Sequence, residues 1–290
     1  MKLPRRALTN WGGCLLVLAA CLSGLGFGSG SGLGMAAEAQ ESFPEPERCP
    51  RFYASVPRFQ RIAYALPAQA ADRSVDIAYL GHSTFLIESP AGVTIATDYN
   101  DGFRPPTPPD VATMNRAHIS HFSFNPDPAI PHVLKGWGEN GVPAAYDLTI
   151  RDVWLRNVTT NIRGGFDDGG VQRDMNSMFV FEVAGLCIAH LGHLHHTLTR
   201  AHLDALGRID VVMAPVDGSR TLNIDDMIKV LRDIQAPIVI PMHFFGQATL
   251  NRFMKNLEKY YVVELADGPR VTLSRETLPP VPTLLMLPGF

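Results

Sequence analysis

Beyond residue 73 the chain falls into short runs in which apolar, β-branched and aromatic side chains alternate with polar ones. Residues 75–80, 84–88 and 93–97 are three such runs, and Pro90-Ala91-Gly92 supplies a hairpin turn between the last two. Residues 117–121 and 153–158 predict further strands, and 178–183 with 186–191 predict a hairpin about Ala184-Gly185. The Pro-rich stretch 105–109, the region 125–143 and the polar, glycine-rich 163–170 read as loops, and loops of such length commonly carry function.

The period then changes. Residues 199–206, 223–234 and 250–260 have helical spacing, interleaved with strands at 209–214, 237–241, 262–265 and 271–274. Asn223 is placed to cap its helix, with Asp225 and Asp226 in the first turn, where the helix dipole favours negative charge. Strands with interspersed helices and no internal repeat predict an α+β fold, one layered domain over 73–276. An extended, Pro-rich lead-in at 40–72 precedes it and a Pro-rich tail at 277–290 follows.

Composition adds limits. With 46% hydrophobic and 18% charged residues over 290 positions, the chain can bury a sizeable core and is not a disordered polymer. Its first 39 residues read as a signal peptide: cationic Lys2, Arg5 and Arg6, an apolar stretch from Trp11 to Phe27, and Ala37-Glu38-Ala39 before a cut at Gln40. Six glycines between positions 12 and 30 make that stretch a poor spanning helix, so no integral membrane domain is expected after processing. Arg5-Arg6-Ala7-Leu8 resembles a twin-arginine signal and Leu18-Ala19-Ala20-Cys21 a lipobox, and the expected location is the periplasm or the exterior. Cleavage removes three basic residues and Glu38, leaving 22 Lys+Arg against 27 Asp+Glu, a net charge of −5. That balance gives no electrostatic reason to bind nucleic acid. Cys49 and Cys187 remain; they could pair in an oxidising compartment, but the apolar run 185–189 makes Cys187 read as a buried, inert thiol.

The histidines carry the chemistry. Four of the ten fall within 190–196, a density typical of metal-binding tracts. In an extended backbone His193 and His195 share a face, so one ion could use both. His243 follows the apolar run 238–242, and His121 stands in the same way within 116–123, where a strand is expected to give way to a loop. Asp98 ends the strand at 93–97, and Asp217 follows 211–215 in the same way. Several strands ending in ligating residues predict a shared site at one rim, because layered α/β folds gather their sites at strand carboxyl ends.

Residues 80–88 (Leu-Gly-His-Ser-Thr-Phe-Leu-Ile-Glu), then Thr97-Asp98, then Ile119-Ser120-His121, resemble the opening of the metallo-β-lactamase superfamily. The closest branch is that of ascorbate-phosphate-lactonase-like and phospholipase-D-like hydrolases. His190-Leu191-Gly192-His193 is similar to the HxGD step of that branch, and Ile240-Pro241-Met242-His243 to its final ligand motif. The resemblance spans roughly residues 74–265 and implies a four-layer αββα sandwich, metal ions at the sheet edges and hydrolysis by water. Laid over 121–126, the HxHxDH signature keeps only His121; a further family histidine falls near Phe166, and His193 stands where the family has a bridging Asp.

The expected site is therefore a remodelled one, with one divalent ion rather than two, zinc first, with manganese or iron also suited to imidazole. Its ligands are drawn from His121, His193, His195 and His243, with His190 and His196 in reserve, and Asp98 or Asp217 as base or orienter. Such a site in an exported hydrolase would act on an ester, lactone or phosphoester of a small molecule. The alternative is a non-catalytic relative that binds metal or a small ligand and has lost hydrolysis.

Overall fold

The computed structural model describes residues 48–49, 73–164 and 170–288. The expected signal peptide, most of the lead-in and Phe166 lie outside the described residues. Among them the first sheet has the order β13-β1-β2-β3-β4-β5, built from Val75–Gly81 (β1), Thr84–Glu88 (β2), Thr94–Ala96 (β3), Val111–Met114 (β4), His132–Lys135 (β5) and Arg270–Leu273 (β13). β1, β2, β3 and β13 pair antiparallel, whereas β3, β4 and β5 run parallel.

The second sheet has the order β12-β14-β11-β10-β9-β8-β7-β6. Its strands are Asp147–Ile150 (β6), Val153–Arg163 (β7), Val171–Val183 (β8), Leu186–His190 (β9), Val211–Pro215 (β10), Ile238–Met242 (β11), Val262–Leu265 (β12) and Thr283–Met286 (β14). β9, β10 and β11 are parallel neighbours, so their carboxyl ends emerge together at one rim. Among the described residues three helices complete the set: Arg200–Leu206 (α1), Ile224–Ile234 (α2) and Gln247–Leu257 (α3).

Strand alternation sorts the core into layers. On β9, Leu186 and Ile188 face the first sheet and join Ile77, Phe85, Ile87 and Ile95 in the inter-sheet core. Cys187 and Ala189 point the other way, into a second core with Met227, Leu231 and Phe253 of α2 and α3. The outer face of the first sheet is covered by Tyr99, Phe122, Ile130 and Trp137 from its loops. Asn223 caps α2 as the sequence predicts, its side chain accepting from the Asp226 amide at 3.0 Å.

Four local expectations change. Residues 117–121 form a turn rather than a strand, because β4 ends at Met114 and the Asn115 amide bonds back to the His121 carbonyl. The loop at 125–143 contains β5, held at the sheet edge by pairing with β4. Within the Pro-rich tail, β14 inserts between β11 and β12 as an internal parallel strand. Cys187 is not a free thiol: it forms a disulfide with Cys49, with the Cα atoms 6.1 Å apart, tying the lead-in to β9. Alongside, the buried Arg156–Glu182 pair also serves the end of α1, where the guanidinium donates to the carbonyls of Ala205 and Leu206.

Candidate metal centre

Each strand end at the rim delivers one element of the site. β3 hands over to Asp98, β4 to the turn carrying His118 and His121, β9 to His193, β10 to Asp217 and β11 to His243. Two of these positions, Asp98 and His243, have positive φ (42° and 55°), a conformation that turns the chain sharply where the strand stops. Gly192, at φ 60°, does the same before His193 and lies against the side chains of Asn176 and Asn115.

One ring nitrogen from each of His118, His121, His193 and His243 lies within 4.8 Å of the others. Three of the four are residues singled out from the sequence. The fourth, His118, was signalled only by its spacing of three from His121, which a turn converts into one shared direction: the His121 amide bonds the His118 carbonyl at 2.9 Å. With His118 in the cluster, the HxHxDH signature is better laid over 116–121, where histidine fills its third and last positions, Arg116 its first and Ser120 its acidic one. His82 adds a neighbouring ring, its centroid 4.2 Å from that of His243.

The outer nitrogens of the rings are held from behind. His121 Nδ1 lies 2.5 Å from Asp98 Oδ2, and Asn115 donates to the other Asp98 oxygen at 2.9 Å. His243 Nδ1 is 3.2 Å from Asp217 Oδ1, and Asp217 also collects the amides of Ser219, Arg220 and Thr221. His118 Nδ1 meets Ser120 Oγ at 2.7 Å, and His193 Nδ1 meets His195 Nε2 at 2.5 Å. His195 therefore stands behind His193 rather than beside it. His190 lies on the inter-sheet face of β9, 2.8 Å from the Ser83 carbonyl, and His196 accepts from the Asn161 amide at 3.1 Å.

What remains at the centre is Nε2. The Nε2 atoms of buried His121 and His243 have no hydrogen-bond partner, and those of His118 and His193 face each other at 3.0 Å. Orphaned buried nitrogens are costly unless something occupies the point they share. Backed imidazoles with free Nε2 atoms are the donor set that divalent transition metals take, so the residues fit such an ion. Electrostatics agree. Burial, reinforced by the neighbouring rings, pushes His193 far below the ordinary histidine range; burial likewise lowers His118 to about 4 and His82 to about 3. Neutral rings at His193, His118 and His82 suit a metal site, whose imidazole ligands must be unprotonated. Burial raises Asp98, but His121 and its other partners outweigh that and bring it down to about 2. Asp217 is likewise held ionised: burial opposes, and the bonds from His243 and Thr221 prevail.

Around this point the surface is apolar. Phe103 stacks on His82 with centroids 6.4 Å apart, and Phe245 lies 5.1 Å from His243. Ile119, between the two ligand-bearing positions of the turn, is also exposed. Gly81 makes room for the Phe103 ring, which would meet any Cβ there at 2.5 Å.

Residues 76–243 match the family model described as the beta-lactamase superfamily domain, more than half of the chain. The chain belongs to the metallo-β-lactamase superfamily. A metal-dependent hydrolase of the UPF0173 group from Methanoculleus marisnigri is 25% identical over 219 residues, covering 68% of this chain and 92% of that protein. Among solved structures, a Thermotoga maritima protein of the superfamily, assigned as a Zn-dependent hydrolase, is 27% identical with a TM-score of 0.54, covering 74% of this chain and 100% of that one. The diiron β-hydroxylase CmlA from Streptomyces venezuelae shares the fold at 10% identity and a TM-score of 0.51, covering 69% of this chain and 54% of that one. This superfamily fold alone therefore does not name a reaction, and the His cluster has to.

Proposed function

We propose that this superfamily member is an exported, metal-dependent hydrolase working with one ion in a histidine-rich site. The observation that carries the reading is the convergence of four histidines on one point, where the buried Nε2 atoms of His121 and His243 have no hydrogen-bond partner. His118, His121 and His243 would hold the ion, with His193 facing the same point. A divalent ion there, zinc in the first instance, supplies Lewis acidity and makes water nucleophilic at neutral pH. Asp98 and Asp217 act as orienters of His121 and His243, because their oxygens are already taken up by those rings and by nearby donors.

The substrate is a small ester, lactone or phosphoester. The exposed Phe103, Ile119 and Phe245 favour one with an apolar flank beside the scissile bond, and Arg220, whose guanidinium lies 5.6 Å from the Phe245 ring, favours an anionic group nearby. Export is supported by the signal-like first 39 residues and by the Cys49–Cys187 disulfide, a bond that persists in oxidising compartments.

The test is metal content. Purified wild-type protein, dialysed after zinc loading, is expected to carry about one zinc per chain. His121→Ala and His243→Ala should emerge metal-free and soluble, whereas His132→Ala and His202→Ala should match wild type. A wild type that binds no zinc, manganese or iron overturns the reading. A wild type that binds zinc yet hydrolyses nothing in a panel of aryl esters, lactones and phosphodiesters favours the non-catalytic binding relative.

A further inference from the structure

Hydrogen-bond direction, followed inward from the backbone, separates the four central histidines into two kinds. The Arg163 amide is a fixed donor and lies 2.8 Å from His195 Nδ1. That nitrogen must accept, so neutral His195 carries its proton on Nε2 and donates it to His193 Nδ1, 2.5 Å away. His193 Nδ1 is then an acceptor, and neutral His193 carries its own proton on Nε2, the nitrogen that faces the centre. His118 Nε2 receives it at 3.0 Å, which puts the His118 proton on Nδ1, toward Ser120 Oγ at 2.7 Å. Ser120 in turn donates to His82 Nε2 at 2.9 Å. His121 and His243 point the same way as His118, with Nδ1 toward Asp98 and Asp217 and a lone pair left on Nε2.

The network matches each of these donors to an acceptor, except that His243 Nδ1 lies 3.2 Å from Asp217 Oδ1 outside hydrogen-bond geometry. It leaves three rings offering lone pairs and one ring offering N–H.

We infer that His118, His121 and His243 form a three-histidine site and that His193 is not its fourth ligand but a catalytic hydrogen-bond donor, aimed by His195 at the oxygen of the substrate that gains negative charge. This rests on the metal-dependent reading above and deepens it. A three-histidine site keeps a position open, as a catalytic ion requires, and a fixed donor beside that position is the arrangement that stabilises a developing oxyanion. It also accounts for a histidine standing where the family has an acidic bridge: one ion needs no bridge. His195 is then a positioning residue, because it alone sets which nitrogen of His193 carries the proton.

Zinc affinity separates the roles without a known substrate. In competition with a chromophoric chelator, His193→Ala and the more conservative His193→Gln should still bind one zinc, with affinity within tenfold of wild type. His118→Ala, His121→Ala and His243→Ala should each weaken zinc more than a hundredfold. His195→Glu gives the converse: a carboxylate accepts from His193 Nδ1–H, frees a lone pair on Nε2 and should tighten zinc, whereas His195→Gln, which still donates, should leave it unchanged. Turnover of whichever aryl ester or phosphodiester the wild type accepts should fall about 10²–10³-fold in His193→Ala, and His195→Gln should retain activity that His195→Glu loses. If both His193 variants lose zinc as the His118 variant does, His193 is a ligand and the inference is wrong. If the wild type itself takes no zinc, the failure lies in the metal reading instead.

Discussion

Asp98 and the ring behind it show how much a single residue's surroundings decide. A carboxylate at a strand end could be a base, a ligand or a support, and the sequence alone allows all three. Here both oxygens are engaged by buried donors, and support is what remains. The same surroundings predict acid sensitivity. His82, His118 and His195 have folded pKa values near 3, 4 and 4, below the ordinary histidine value of 6.5, with burial the main cause in each. Below pH 6.5 the unfolded chain therefore binds more protons than the native one, and stability falls with pH from there down to about 4. Thermal melts of the metal-free protein should lose stability steadily between pH 7 and 5. Zinc-saturated protein should hold its melting temperature further into acid, until protons compete for the ligands. A metal-free protein equally stable at pH 7 and pH 5 would contradict this.

Among elements, the turn between β9 and α1 matters most. It must leave a buried parallel strand, reverse direction and present His193 within three residues of His190. Gly192 makes this possible through positive φ and close contact with Asn176 and Asn115, while Asn176 Oδ1 fixes the His193 amide at 2.7 Å. Gly192→Ala would add strain and displace that amide clamp, and a loss of about 2 kcal/mol or more in urea unfolding is expected. The fall in zinc affinity should stay small, since the displaced ring is a donor rather than a ligand. Elements were largely legible from the sequence where their period was strong: α2, with its cap and apolar stripe, and β9 to β11, with continuous apolar runs, lie within two residues of expectation. The turn at 117–121 was misread because Ala117 and Ile119 imitate strand alternation. Only the pairing of β4, which with β3 ends at Ala112 and with β5 at Met114, ends the strand earlier.

For the molecule as a whole, the disulfide has the largest reach. It joins positions 138 residues apart and fastens the lead-in beside the strand that runs toward the site. Closing so long a loop restricts the unfolded chain, and its loss commonly costs about 2–5 kcal/mol. Reduction with dithiothreitol, or Cys187→Ser, should lower the melting temperature by several degrees and leave zinc stoichiometry unchanged, since neither cysteine touches the His cluster. No change on reduction would mean that the lead-in contributes nothing to stability.

The sequence by itself determined the kind of molecule. Alternation and period named the three helices and most of the strands, though not β4, β5, β6 or β14; the resemblance at 80–88, 190–193 and 240–243 named the superfamily, and the histidine density named metal chemistry. These are local properties, written in contiguous residues, and local spacing reports them faithfully. Tertiary structure alone decided which histidines meet and which nitrogen each one offers. His195 is two residues from His193 on the same extended face, yet the Arg163 amide, 32 residues away in sequence, turns it into a support. His118 joins because a turn, not a strand, aims it inward, and Cys187 finds its partner 138 residues earlier in the chain. Hydrogen-bond direction propagates through contacts between distant segments, so it is a property of the folded arrangement and has no signature in the spacing along the chain.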